Sequence, residues 1–231
     1  LQFYDGYRPD LRGADLRQTD LSGLELRGVN LDAAQMQGAN LAGAQMQGAT
    51  LVGAHMQGAI LFSAQMQRAD LSSAEMQRAN LEGAQMQGAD LGMAEMQGAD
   101  LIVAQMQRVD LSSARMEGVN LGGARMQCAN LRGVQLQGAA LNRTQMQGTQ
   151  FIGVGIDNST HLDSAVFRGA SLWWDNTASL TPLLRFLHDA YSDMDLPKSV
   201  PRPPHWPKWP SEDFVEAWRV WQDTLPAGWD R

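Results

Sequence analysis

Hydrophobic and polar positions along this chain recur every five residues. Steps of five from Leu11 land on Leu16, Leu21, Leu26, Leu31, Met36, Leu41, Met46 and onward to Met146, Phe151 and Ile156, thirty apolar residues in succession. Two positions before these centres the residue is typically small or β-branched, and it is alanine in twenty of the thirty cases. The other three positions of each five are mostly Asp, Asn, Gln, Arg, Ser and Gly. A fixed period held this long is the mark of a solenoid.

The period excludes the two ordinary readings. Ala, Leu, Met, Gln and Glu dominate, so propensity alone favours helix. Five steps of about 100° would nevertheless set successive centres about 140° apart around a helix, and no apolar stripe would form. A flat strand alternates with period two, so an odd step would send successive centres to opposite faces. The pattern is satisfied if the backbone turns a corner every five residues, with each centre and the residue two before it pointing to a common axis. Centres alternate Leu and Met from Leu31 to Met126, which makes the full repeat ten residues. Like residues then stack in columns only if a coil has an even number of sides. Two sides cannot enclose a core, so four is the simplest solution. The predicted inward ladder includes Leu31, Met36, Leu41, Met46, Leu71, Met76, Leu91 and Met96.

Segments such as Ala39-Asn40-Leu41-Ala42-Gly43 and Ala69-Asp70-Leu71-Ser72-Ser73 carry the pattern Ala-(Asp/Asn)-Leu-x-x. This resembles the pentapeptide-repeat family over roughly two-thirds of the chain. The resemblance implies an all-β solenoid, a right-handed quadrilateral β-helix with four pentads per coil. Every second repeat departs from the pattern, reading Ala-Gln-Met-Gln-Gly, with Gln or Glu for Asp or Asn and Met for Leu.

Three regions follow. Residues 1–10, with Phe3, Tyr4 and Tyr7, are expected to cap the open first coil, whose strand edges and core would otherwise meet water. Residues 11–176 form the β-helix, about eight coils at five residues per side, with a register slip near 157–161. Beyond it Leu162, Phe167 and Leu172 resume the five-step one residue late. Residues 177–231 form a small α-helical, Trp- and Pro-rich appendage; all seven tryptophans lie from Trp173 onward. Thr181-Pro182 is a helix start, followed by Leu183, Leu184, Phe186, Leu187 and Tyr191 on one face. Pro197 to Pro210 is expected to be extended. Ser211 caps a second helix with Phe214, Trp218, Trp221 and Leu225 aligned. Trp173, Leu184, Phe186, Phe214, Trp218 and Trp221 are therefore candidates for a cap or a chain-to-chain interface.

Charge and chemistry refine this picture modestly. Net charge is −7, and residues 1–176 hold seventeen acids against twelve bases. That balance argues against direct nucleic-acid binding and permits a basic partner. No apolar run approaches the length of a membrane span and no signal-peptide pattern is present, so the segment is expected to be soluble, not membrane-inserted, and cytoplasmic. A chain starting at Leu1 also fits a domain of a larger protein. Cys128 is the only cysteine and has no His or Asp constellation around it. His55, His161, His188 and His205 show no metal-ligand spacing. The acids before Leu centres form a regular ladder of like environments, unlike an acid–base pair. No catalytic, cofactor or metal site is expected, and no enzyme.

The glutamines are the distinctive surface feature. Gln47, Gln67, Gln87, Gln107 and Gln127 stand twenty apart, in one column if the coil is four-sided. Their amides are expected to hydrogen-bond along that column as a ladder, or to offer a flat polar docking face. The favoured function is a non-enzymatic scaffold or protein-interaction module, with a protein partner or self-association as a homodimer through the C-terminal segment. The resemblance also implies an alternative, a DNA mimic that binds DNA gyrase and inhibits or protects it. The glutamines on two faces, and three arginines among seven acids in residues 68–110, count against that alternative.

Overall fold

The computed structural model describes residues 9–157, 159–162 and 164–166, together with the backbone of 171–173. Residues 1–8 and 174–231 lie outside it, and with them most of the expected N-terminal cap and the whole 177–231 appendage.

Parallel β-bridges join each residue that precedes a centre to its equivalent twenty residues on: Asp10↔Asn30, Gln45↔Gln65, Asp70↔Asp90, Asp100↔Asn120. Twenty residues at five per side make four sides, and the chain is a right-handed quadrilateral β-helix. Asp10 already belongs to this ladder, through Asn30. The spacing stays at twenty through Gln135↔Gly155, then becomes twenty-one at Ala140↔His161 and Gln145↔Val166. The same offset of twenty-one holds between strand β1 (Gln150–Ile152) and strand β2 (Ser171–Trp173), which pair in parallel with Phe151 opposite Leu172. From Asp10 to Ser171 the column climbs eight coil steps, roughly 38 Å at about 4.8 Å per strand spacing.

Each corner is a tight turn. The Leu71 carbonyl accepts from the Ala74 N–H at 3.0 Å, and equivalent bonds recur at the other centres. The third residue of the turn has φ between 51° and 69°, the left-handed value that marks a type II turn. Glycine fills seventeen of these places and other residues thirteen. Between coils the centre N–H donates upward, as from Met46 to Gln65 O at 2.7 Å.

The interior is a dry column. Leu and Met centres from Leu31 to Met146 are fully buried, with the alanines two before them. Leu11 and Leu16, in the first coil, are only partly buried. Thr144 and Thr149 replace alanine near the C-terminal end. Their buried hydroxyls donate to Leu141 O (2.7 Å) and Met146 O (2.9 Å), which satisfies them in an apolar setting.

The extra residue is accommodated between Ile156 and His161, around Asp157. Its carboxylate accepts from Ser159 N (3.0 Å), Ser159 Oγ (2.6 Å) and Gly138 N (3.1 Å). These donors, Ser159 foremost, hold the Asp157 pKa below the ordinary value. Thr160 Oγ1 reaches Leu136 O at 2.9 Å and ties the inserted turn to the coil below.

Candidate interaction faces

Four long faces run along the rod, each named here by its centre in one coil: Leu71, Met76, Leu81 and Met86. The Leu and Met faces are built differently. On the Leu faces the residue before the centre is mostly Asp or Asn. Its oxygen accepts the backbone N–H two residues on: Asp70 from Ser72 (3.0 Å), Asn80 from Glu82 (3.0 Å), Asp90 from Gly92 (2.9 Å), Asp110 from Ser112 (2.8 Å). This side-chain cap takes up a turn donor that the coil-to-coil ladder does not use. Thr50 and Ile60 break the pattern. Beside Thr50 the Val52 N–H goes to Asp32 Oδ1 of the coil below (3.0 Å).

Glutamine and glutamate are one methylene longer, and on the Met faces the contact runs between coils. Gln47, Gln67, Gln87 and Gln127 each donate through Nε2 to Oε1 of the residue eighteen further on: Gln65 (2.7 Å), Gln85 (2.8 Å), Gln105 (2.8 Å) and Gln145 (2.6 Å). These bonds are diagonal, from the column after the centre to the column before it one coil up. They do not follow the Gln47–Gln67–Gln87 column as expected. With their own Oε1 atoms turned away from solvent, the glutamines after the centres meet their acceptor on the diagonal and not in the column. At Gln107 the residue eighteen further on is Arg125, a donor, and no such bond forms. Among the described residues the Oε1 atoms of all five glutamines turn away from solvent without a protein partner, so at Gln47, Gln67, Gln87 and Gln127 the donor end orients the amide.

On the Met76 face the diagonal acceptor is a carboxylate. Gln77 donates to Glu95 at 2.7 Å, and Gln57 likewise donates to Glu75. The column before the centres there reads His55, Glu75, Glu95, Arg115, with His55 Nδ1 at 3.0 Å from Glu75 and Arg115 at 3.8 Å from Glu95. These side chains are 37–54% exposed, and such pairs contribute on the order of 0–1 kcal/mol each. In the first coil Arg12 and Arg17 pair with Asp10 and Asp15 at 2.7 and 2.6 Å. The Arg17 bond holds the Asp15 pKa at about 2.

The predicted ladder residues Leu31, Met36, Leu41, Met46, Leu71, Met76, Leu91 and Met96 all lie in the core. Trp173 is described only as backbone, paired with Ile152. Leu184, Phe186, Phe214, Trp218 and Trp221 lie outside the described residues. Cys128 is exposed at a corner, with φ 58°. Among the described residues there is no His/Cys/Asp/Glu cluster able to hold a metal ion, and no helix long and apolar enough to cross a membrane.

One surface feature escaped the sequence reading. Ile60 (43% exposed), Phe62 (45%) and Val103 (52%) occupy outward positions of the Leu81 face, with Ile102 beside Val103. Each breaks the polar rule for outward positions, and writing the chain in rows of twenty would have put them together.

A family model described as pentapeptide repeats matches this chain in eight copies, over residues 10–48, 39–78, 64–101, 104–143 and 129–154. No curated protein matches it. Among solved structures it is similar to the pentapeptide-repeat protein Rfr23 from the cyanobacterium Cyanothece 51142, with 23% identity, a TM-score of 0.38, and coverage of 54% of this chain and 89% of that one. It is also similar to HetL, a pentapeptide-repeat protein involved in heterocyst differentiation regulation in Nostoc sp. strain PCC 7120 (22% identity, TM-score 0.28, coverage 71% and 92%). A third likeness is to QnrB1, a plasmid-mediated fluoroquinolone resistance protein (13% identity, TM-score 0.29, coverage 74% and 93%).

Proposed function

The chain belongs to the pentapeptide-repeat family, and from that premise we propose that it is a scaffold that binds other proteins along the sides of its rod. Pentapeptide-repeat proteins are a structural, non-catalytic family. The observation that carries the reading is the surface itself. Four long faces of unlike chemistry stand on one dry core: aspartates capping turns on the Leu71 face, an exposed apolar cluster on the Leu81 face, and amides with or without charge on the Met faces. Repetition gives neighbouring side chains like environments, which suits extended recognition and not acid–base chemistry. We place the chain in the cytoplasm, which suits the free thiol of Cys128. We also propose that residues 177–231 join two chains, because their aligned aromatics exceed what one coil end needs.

The second reading, a DNA mimic acting on gyrase, draws on the Asp70–Asp90–Asp110 column, paired in register on the Leu71 face. That column is only three charges long, between Thr50 and Asn130. The Met86 face offers amides instead. A DNA supercoiling assay with gyrase separates the two. A scaffold leaves supercoiling unchanged. Inhibition at low micromolar protein that weakens steeply with salt, as a polyanion mimic should, would overturn the scaffold reading.

A further inference from the structure

The Leu81 face carries the larger group of outward apolar side chains that the rod does not need, Ile60, Phe62, Ile102 and Val103 against Val52 and Met93 on the Leu71 face. The coil-to-coil hydrogen bonds Gly43 N to Phe62 O, Ser63 N to Glu82 O, Gly83 N to Ile102 O and Val103 N to Gly122 O put these residues in one ascending stack. Phe62 and Ile60 form its lower apolar level and Ile102 and Val103 its upper, two coils apart, with Glu82 between them. Residues 122 and 123, above Val103, are both glycine, so the surface there is low.

Val103 is the most telling of the group. Its φ is 51°, a left-handed conformation that a β-branched residue adopts at greatest strain. Nothing in the fold asks for valine here: most corners hold glycine, and this side chain is half in water. An exposed, strained, apolar residue beside another apolar residue is explained by a surface that must be apolar.

Glu82 and Asp100 are the acids of this patch, and in the outward columns of the face from Asp20 to Gly123 there is no base. Among the described residues neither acid has an ion-pair partner; Arg78 stands at the adjoining corner, packed over Gly98. The spacing then selects the occupant. Two coils are about 10 Å. An α-helix lying along the rod repeats its face every seven residues, also about 10 Å, so one apolar residue meets each level and a cation between them meets Glu82. An extended strand covers the same distance in about three residues and points them to opposite sides. A second copy of this face would dock about a two-fold axis near the middle level, setting Glu82 against Glu82. The chain's own segment 211–225 carries Glu212, Asp213, Glu216 and Asp223 against Arg219 alone, the wrong sign.

We propose that the Leu81 face, through Ile60, Phe62, Ile102 and Val103 around Glu82, docks a cationic amphipathic helix of another protein. This rests on the scaffold reading and names its surface and partner chemistry.

The test uses the full chain and a fluorescent synthetic peptide of Leu, Ala and Lys, about 18 residues long, with leucines at helical i, i+3, i+4, i+7 spacing. Fluorescence anisotropy should show saturable binding. Phe62→Ser, Glu82→Lys and Val103→Gly should each weaken it about tenfold, the equivalent of roughly 1.4 kcal/mol. Met93→Ser, a corner residue of the Leu71 face, and Asp90→Lys, which matches the charge change of Glu82→Lys, should alter it less than about twofold. Val103→Gly should also raise the melting temperature, because it releases left-handed strain. No binding, equal weakening by the Leu71-face variants, binding of a peptide with Glu for every Lys, or a lower melting temperature for Val103→Gly would each overturn the proposal. Such a failure leaves a scaffold that uses another face, whereas salt-sensitive gyrase inhibition overturns the scaffold reading itself.

Discussion

At the scale of single residues, the outward side chains do distinct jobs that differ by one methylene. Asp and Asn before a Leu centre reach the N–H two residues on, while Gln and Glu cannot close that turn and instead bridge coils. This choice was legible as a pattern, since from Asn30 to Asn130 Asp or Asn stands before every Leu centre except at Thr50 and Ile60, and never before Met. Its geometry was not, because period analysis places Cβ atoms and not the ends of long side chains. Ile60 has no oxygen to offer Phe62 N, so Ile60→Asn should stabilise the rod by about 1 kcal/mol, the usual value of such a cap. A rise of a few degrees in melting temperature is the expected readout, and an unchanged or lower value would deny the cap its energetic role. Acid titration tests the carboxylates. Asp15 has a folded pKa of about 2, and those of Asp10, Asp20 and Asp157 are also lowered. A depressed carboxyl pKa contributes stability that is present above the ordinary value and lost as pH falls through the folded one. Melting temperature should therefore decline as pH falls from about 4 to about 2, and Asp15→Asn should flatten part of that decline, modestly, because the group is exposed. Parallel acid slopes for the two proteins would refute the assignment.

At the scale of the coil, the decisive fact is that all four sides close on one dry core, so an inward lesion in one side is not relieved by its neighbours. Leu91 is fully buried under and over other leucines, in the column Leu71–Leu91–Leu111. Leu91→Lys would place an unpaired ammonium in a dry column and should cost several kcal/mol, enough to unfold the coils around it. Gln87→Lys loses one amide bond to Gln105 but leaves a donor on a solvated face, and should shift stability by less than about 1 kcal/mol. Comparable melting losses in the two variants would contradict the inward and outward placement. The column arithmetic behind this contrast came from Leu–Met alternation, because a mixed column would have packed branched and unbranched side chains above each other. The inserted residue near Asp157 was also readable, as a one-step delay before Leu162. The bonds that hold it were not, since they join Asp157 and Thr160 to Gly138 and Leu136, some twenty residues back.

At the scale of the whole molecule, a rod is a stack of nearest-neighbour contacts with two ends, and its ends decide how it behaves. The last described strand, Ser171–Trp173, pairs with Gln150–Ile152 on one side. A β-helix end left bare would present unpaired N–H and C=O groups, and the sequence that follows is the one region rich in tryptophan. The proline-rich stretch from Pro197 to Pro210 could span roughly 43 Å if extended at about 3.1 Å per residue, about the length of the rod. The residues after it could therefore reach the rod's own side or a second chain. Their acidic balance disfavours the Leu81 face, with its acids Glu82 and Asp100, so association between chains is the expected outcome. Deleting residues 196–231 should leave a folded rod whose mass by light scattering falls from dimer to monomer. A variant that stays monomeric and merely melts earlier would place the segment on its own rod instead. One that changes neither mass nor stability would remove the tail from both roles. If the Leu81 face serves a separate partner, peptide binding should survive this deletion intact, and a dimer that loses both properties together would mean that one surface serves both.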